Sequence, residues 1–199
     1  MYGDSRIQKI DLETGAIIDR VFIDKSLFAE GIDWVSPNSI YMLTYRKRQL
    51  LMFDLDTLKL RETYSFRTGT GEGWGISNNG TVMAITDGSD VVEFWDPVSL
   101  KSVGKVKVKD HNRKIWGLNE LEFVGKYELL ANVYGSHKIA RIDSRTGMVI
   151  GWYDFTGILQ SHGDPSGNPE VFNGIAVDFP YMYVTGKRWK SMFKISLVA

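Results

Sequence analysis

The chain has 199 residues, 43% of them hydrophobic and 24% charged, which excludes a disordered tail and fits one folded domain over residues 1–199. Its 24 basic and 24 acidic residues cancel, which argues against a partner that is nucleic acid or an anionic membrane, since such binders are net basic. There is no cysteine, so disulfides, zinc–thiolate sites and thiol nucleophiles are excluded.

The start, Met1-Tyr2-Gly3-Asp4-Ser5-Arg6, has no apolar core of a signal peptide, and no later run approaches the roughly 20 apolar residues of a membrane helix. Such a start fits a cytosolic protein, a fragment or a mature form alike, and the sequon Asn79-Gly80-Thr81 is too common a pattern to decide among them. Aromatic residues reach 13%, with 20 glycines and only 5 prolines, the balance of an all-β chain with many tight turns.

In chain order, the first element is an apolar strand ending in a small acidic turn, Lys9-Ile10-Asp11-Leu12-Glu13-Thr14-Gly15. A second kind of segment then opens, Glu30-Gly31-Ile32-Asp33-Trp34, followed by the turn Ser36-Pro37-Asn38 and the strand Ile40–Thr44. The acidic turn returns in Met52-Phe53-Asp54-Leu55-Asp56-Thr57-Leu58. The same cycle follows as Gly73-Trp74-Gly75-Ile76-Ser77, the strand Val82–Thr86, and Phe94-Trp95-Asp96-Pro97-Val98-Ser99-Leu100. It follows again as Asn119-Glu120-Leu121-Glu122-Phe123, Leu129–Val133 and Arg141-Ile142-Asp143-Ser144-Arg145-Thr146-Gly147. Leu159–Pro169 is polar and reads as a long loop, and no stretch carries a capped helical face. The last cycle is Asn173-Gly174-Ile175-Ala176-Val177, Met182–Thr185 and the strand Phe193–Leu197.

Asp11, Asp54, Asp96, Asp143 and Ser196 recur at spacings of 43, 42, 47 and 53 residues, the length of a four-stranded propeller blade. Five strand ends but only four openers predict a five-bladed β-propeller whose first blade is incomplete at the N-terminus: about four full repeats plus a partial blade, with an open strand edge.

In a propeller the innermost strands line an axial channel, so the openers bring Glu30, Trp74, Asn119 and Asn173 to one mouth. Tyr45, Asp87, Tyr134 and Lys187, with the nearby Trp189, follow the second strand of successive repeats and join the same ring. Each has a plainer reading: Trp74 as blade packing, Asn119 and Asn173 as turn residues, Glu30 and Lys187 as solvated charges. Their matching repeat positions favour a shared site. His111, His137 and His162 lack ligand spacing, so no metal is expected of them. Glu30, Asp87, Asn119 and Asn173 would suit calcium as an oxygen set, the pattern of a propeller lactonase. The glycine-rich run Gly69–Gly75 lacks the register of a phosphate loop. Arg46-Lys47-Arg48 reads as a turn, and Lys105–Lys109 as an exposed strand face.

A set of ordered motifs then carries a resemblance: Phe28-Ala29-Glu30-Gly31, Gly73-Trp74-Gly75, Thr86-Asp87-Gly88-Ser89-Asp90, Leu118-Asn119-Glu120-Leu121-Glu122, Ala131-Asn132-Val133-Tyr134, Ile139–Asp143, Gly151-Trp152, Phe172-Asn173-Gly174-Ile175-Ala176 and Val184-Thr185-Gly186-Lys187-Arg188-Trp189. Together they resemble the plant and bacterial type of glutaminyl-peptide cyclotransferase, a family of five-bladed propellers. The resemblance implies cyclisation of N-terminal glutamine on a peptide or protein partner to pyroglutamate, with release of ammonia and no cofactor. It implies Glu30, Asn119 and Lys187 as catalytic residues, with Glu30 the proton shuttle. Trp74, Tyr45, Tyr134, Asp87, Asn173 and Trp189 would contact the substrate. It also suggests a secreted, periplasmic or endomembrane setting for full-length relatives. The sequence departs from the pattern by starting after a motif like F-T-Q-G-L, by carrying Tyr45 and Tyr134 where the plant proteins have tryptophan, and by Gly135 in place of a glutamine. A propeller that binds peptides without catalysis is the alternative those departures leave open.

Overall fold

The computed structural model describes residues 5–162 and 171–197. Among them, β1 (Arg6–Ile10) and β2 (Ile17–Phe22) pair as a two-stranded sheet. β3 (Ala29–Ser36), β4 (Ser39–Thr44), β5 (Gln49–Asp54) and β6 (Leu60–Ser65) make a four-stranded antiparallel sheet in chain order. β7 (Ile76–Asn78), β8 (Met83–Thr86), β9 (Val91–Trp95) and β10 (Ser102–Lys107) repeat it. A short hairpin, β11 (Lys109–Asp110) and β12 (Arg113–Lys114), precedes β13 (Leu118–Val124), β14 (Glu128–Val133), β15 (Lys138–Asp143) and β16 (Met148–Asp154). β11 adds in parallel to the outer edge of β16 and makes that sheet six-stranded. After the one-turn α1 (Ile158–Ser161) come β17 (Phe172–Asp178), β18 (Tyr181–Gly186) and β19 (Phe193–Ser196), a three-stranded sheet. The fold is all-β and propeller-like.

Two expectations needed correction. Lys105–Lys109, read as one exposed strand face, instead spans the end of β10, the buried Val108 and the start of β11, and the β11–β12 hairpin that follows carried no signal. The segment read as a loop from Leu159 begins inside α1, because Ile158 is buried with Phe172, beside Phe155 and Leu159. The rest of that segment, 163–170, lies outside the described residues, as does Met1–Asp4 of the start.

The core lies between sheets. Four apolar clusters separate the five sheets in turn. Ile7 and Ile23 meet Ile40, Met42, Leu51 and Phe53 in one. Tyr41, Leu43 and Leu50 turn to the next, against Ile76, Met83 and Ile85. Side chains alternate across a strand, so β4 serves both clusters and is buried throughout. This is why the second strand of each repeat is a continuous apolar run.

The acidic strand ends close the outer turns. Asp11 accepts from the N–H and Oγ1 of Thr14, both at 2.7 Å. Asp54 does the same with Thr57, at 2.7 and 2.8 Å, and Asp96 with Ser99, at 2.6 and 2.7 Å. Asp143 instead binds Arg145 through its backbone N–H and guanidinium. These bonds hold the carboxyls below their ordinary value, Asp54 at about 2, where Thr57 contributes most.

At the axis, each innermost strand has an edge with no neighbour in its own sheet. On three of these edges, N–H groups are taken by side chains of the adjacent sheet. Asp33 accepts from Asn78 N at 2.6 Å, Ser77 from Phe123 N at 2.9 Å, and Glu122 from Val177 N at 3.0 Å. The acceptors occupy one repeat position, and the fourth member of the series is Ala176, which has no acceptor. Burial pushes the Asp33 carboxyl up to about 6 and Glu122 up to about 7, although each accepts hydrogen bonds that pull the other way.

Stability should follow these two groups of carboxyls. Asp54 supports folding above its ordinary 3.8 and loses that support as pH falls toward 2. Asp33 and Glu122 support folding fully below 3.8 and 4.5, and that support is lost as pH rises through about 6 and about 7. Thermal melts are expected to give the highest Tm between about pH 4 and 6. Glu122→Gln keeps an acceptor for Val177 N–H and should flatten the fall from pH 6 to 8; a Tm that climbs over that range contradicts the assignment.

Candidate active site

The opener residues sit on interruptions of the strand register. The β3–β4 register shifts between Ala29 and Ile32, the β13–β14 register between Leu118 and Leu121, and the β17–β18 register between Phe172 and Ile175. These irregularities bracket Glu30, Asn119 and Asn173. A bulge leaves a residue unpaired and re-aims its side chain, so these groups leave the alternation of their strands and turn to the axis. At β7 the strand begins later, and Trp74 is held instead by a bond from its N–H to Thr86 O at 3.0 Å.

Glu30, Asn119, Lys187, Trp74, Tyr45 and Tyr134 line one pocket of about 390 Å³ together with Phe28. They come from four sheets. The Glu30 side chain is 12% exposed, and its Oε1 lies 3.7 Å from Lys187 Nζ. Burial pushes its carboxyl up to about 7; the Lys187 charge and hydrogen bond oppose this, and Glu72 adds to it. Lys187 Nζ also stands 5.8 Å from the centre of the Phe28 ring. Asn119 is buried, and its Oδ1 has no hydrogen-bond partner among the described residues.

Aromatic rings form the walls. Trp74 meets Tyr134 edge-on, with centroids 5.7 Å apart, and Phe28 meets Tyr45 at 6.0 Å. Trp74 lies flat on Gly88, where a Cβ would come within 2.6 Å of the indole ring. Its Nε1 donates to Glu72 Oε2 at 3.0 Å.

Three expected residues are placed elsewhere. Asp87 is buried, and its carboxylate accepts from Thr70 N at 2.9 Å and from Ser89 N at 3.2 Å, fastening a loop. It borders a separate cleft with Arg67, Lys105 and Lys107. Asn173 accepts from Glu120 N at 3.3 Å and faces an axial cavity of about 400 Å³ beside β3. Trp189 covers Gly186 and packs on Phe172 and Phe193, at 5.6 and 6.1 Å, within the last cluster. The oxygen set considered for calcium is thereby divided, and no three metal-ligating His, Asp or Glu side chains are grouped among the described residues.

The sequence reading missed Phe28 and Glu72, both inside quoted motifs, and the axial Glu120. Glu120 is held well above the ordinary range by burial, with Glu122, Asp33 and Glu30 adding repulsion. Its signal was its place next to Asn119 in an opener.

Comparison with known proteins identifies the family of the chain. The profile of the glutamine cyclotransferase family matches residues 1–197. This chain belongs to that family. It is 30% identical to a glutaminyl-peptide cyclotransferase of Arabidopsis thaliana over 203 residues, covering 99% of this chain and 61% of that protein. The glutaminyl cyclase of Myxococcus xanthus superposes with a TM-score of 0.83 at 26% identity, over 95% of this chain and 80% of that one. The chain thus spans less than two thirds of its curated relative and most of the bacterial structure.

Within the family frame, Trp74 is a wall whose seat is Gly88. Gly88→Ala costs about 1–2 kcal/mol for its left-handed backbone alone and also drives a methyl into the indole. Gly80→Ala has the same backbone sign and an open surround. Both should lower Tm, but only Gly88→Ala should shift tryptophan emission; equal spectra would refute the seat.

Proposed function

We propose that this chain converts N-terminal glutamine of peptides to pyroglutamate, and that its sheets form a five-bladed ring with β1 and β2 as outer strands of one blade. The apolar cluster between β1–β2 and β3–β6, equivalent to the other clusters between sheets, supports the fifth blade. So does the axial series of acceptors, which stops at Ala176 and leaves Trp34 N bonded to its own neighbour Asp33. The cavity between β3 and β17 marks the interval.

The observation that carries the activity is the buried Glu30 carboxyl facing Lys187 inside an aromatic pocket. The α-nitrogen of the substrate attacks its own side-chain carboxamide carbon. A C–N bond forms, the carbonyl oxygen becomes an oxyanion, and the nitrogen must lose a proton. Glu30, poised at about 7, takes that proton and returns it to the departing amino group, which leaves as ammonia. The Lys187 ammonium, close enough to pair with Glu30, donates to the oxyanion. Asn119 Oδ1, buried and unpartnered, accepts from the substrate amine and aims it. Trp74, Tyr134, Phe28 and Tyr45 hold the folded-back side chain near its attack geometry.

Incubation of an N-terminal glutamine peptide should give loss of one ammonia by mass spectrometry, faster than the spontaneous rate. Glu30→Gln should lower kcat/KM by about 100-fold or more. The activity of the unsubstituted chain should rise with pH through about 7 as Glu30 deprotonates, with Lys187, Glu72 and Glu120 as the charged groups around it. Lys187→Met removes the charge that pulls Glu30 down and should move this limb upward. A folded sample that gives no excess cyclisation overturns the proposed activity.

A further inference from the structure

Glu72 lies outside the pocket, yet its partners are pocket walls. It accepts from the indole of Trp74 at 3.0 Å and from Arg46 Nε at 3.0 Å. Arg46 Nη2 in turn donates to the Tyr45 hydroxyl at 3.3 Å. The Arg46 guanidinium lies 4.8 Å over the Tyr45 ring. Trp74 leads into β7 and Tyr45 follows β4, so one carboxylate ties walls from two sheets. The loop that carries it is itself fastened: Thr68 Oγ1 donates to Glu72 O at 2.6 Å, and Arg48 Nε to Gly71 O at 3.2 Å.

We propose that Glu72 is a positioning residue that locks Trp74 and Tyr45 in place and so sets the grip of the pocket on the substrate side chain. The inference rests on the function proposed above. Arg46 is 64% exposed, so its ion pair adds little stability in water. What the contact supplies is orientation: the indole donates to the carboxylate directly, and the phenol is joined to the same carboxylate through Arg46. Burial of Glu72 works against ionisation, but the bonds from Trp74, Arg46 and Tyr45 outweigh it and keep the carboxyl below its ordinary value. Glu72 also repels Glu30, so its charge reaches the proposed proton shuttle without contact.

The test compares Glu72→Ala with Glu72→Gln in the full chain. Glu72→Ala removes the acceptor and should raise KM for an N-terminal glutamine peptide about ten-fold, with kcat changed less than about three-fold. Glu72→Gln retains a carbonyl for the indole and should keep KM within about three-fold of the parent. Both remove a negative charge near Glu30, so both should shift the acid limb of the rate profile to lower pH, with Lys187 and Glu120 unchanged around it. A purely structural role would lower Tm and active fraction without moving KM.

A second readout needs no substrate. Acrylamide quenching of tryptophan emission should increase in Glu72→Ala and not in Glu72→Gln, and the difference should vanish in a Trp74→Phe background. Unchanged quenching in Glu72→Ala overturns the inference whatever the activity of the parent. An inactive parent with the expected quenching overturns the proposed function and leaves Glu72 as the anchor of the wall.

Discussion

The structure depends on how the innermost strands satisfy their axial edges. A strand at a sheet edge presents N–H groups that need acceptors, and inside a protein an unmet donor is costly. Here the answer includes a recurrent side chain at one repeat position, Asp33, Ser77 and Glu122, each reaching the next sheet. The sheets are thereby registered to one another by polar bonds at the axis and by apolar clusters further out. Close approach makes this possible: at Gly75 a Cβ would fall 2.1 Å from the Asn119 carbonyl, so side-chain volume is excluded there. Thr86 Oγ1 occupies the remaining space and bonds both Gly75 N and Asn119 O.

That arrangement explains the electrostatics of the pocket. Carboxylates that serve as acceptors are drawn to an axis with little solvent, and they crowd one another. Glu120 feels Glu122, Asp33 and Glu30 together, and burial dominates for all four. Glu30 differs from the others in lying at the mouth, beside Lys187 and open to a cavity. Its raised value therefore follows from the axial architecture, with Lys187 as a partial counterweight. The same bulges that break the ladder at Glu30 and Asn119 turn those groups out of their sheets and toward a common space.

Much of this was readable from residues. The Asp-x-x-Thr/Ser ends repeat because each is a turn in which one carboxylate caps two donors, so their spacing counts blades. The apolar second strands were legible because they are buried on both faces. Repeat position alone placed Glu30, Trp74 and Asn119 together, and it also placed Asp87, Asn173 and Trp189 there, which the structure moves elsewhere. Position gives the end of the propeller, not the direction of a side chain. Asp87 follows β8 as Tyr45 follows β4, but a short acid finds Thr70 N and Ser89 within reach, whereas a tyrosine extends to the pocket. The β11–β12 hairpin was hidden because two-residue strands carry no alternation to read.

The walls of the pocket show how a substitution of ring type recruits further residues. A tyrosine brings a hydroxyl that tryptophan lacks, and a phenol near a pocket needs a partner. At Tyr134 the ring is 53% exposed, so water can serve. At Tyr45 the hydroxyl is met by Arg46, which pairs with Glu72. Glu72 reaches Trp74 directly because residues two apart in an extended chain share a face, and it reaches Tyr45 through Arg46. The glycine-rich run before β7, which has no phosphate-loop register, gains its sense from this. Gly71, with φ of 80°, lets the chain turn against Arg48, and Gly73 passes beneath Phe66 and Leu43, so the acid between them is presented to two walls at once. Tyr45 and Glu72 are linked in this way through Arg46, which meets the phenol hydroxyl at the rim of an apolar wall and pairs with the acid.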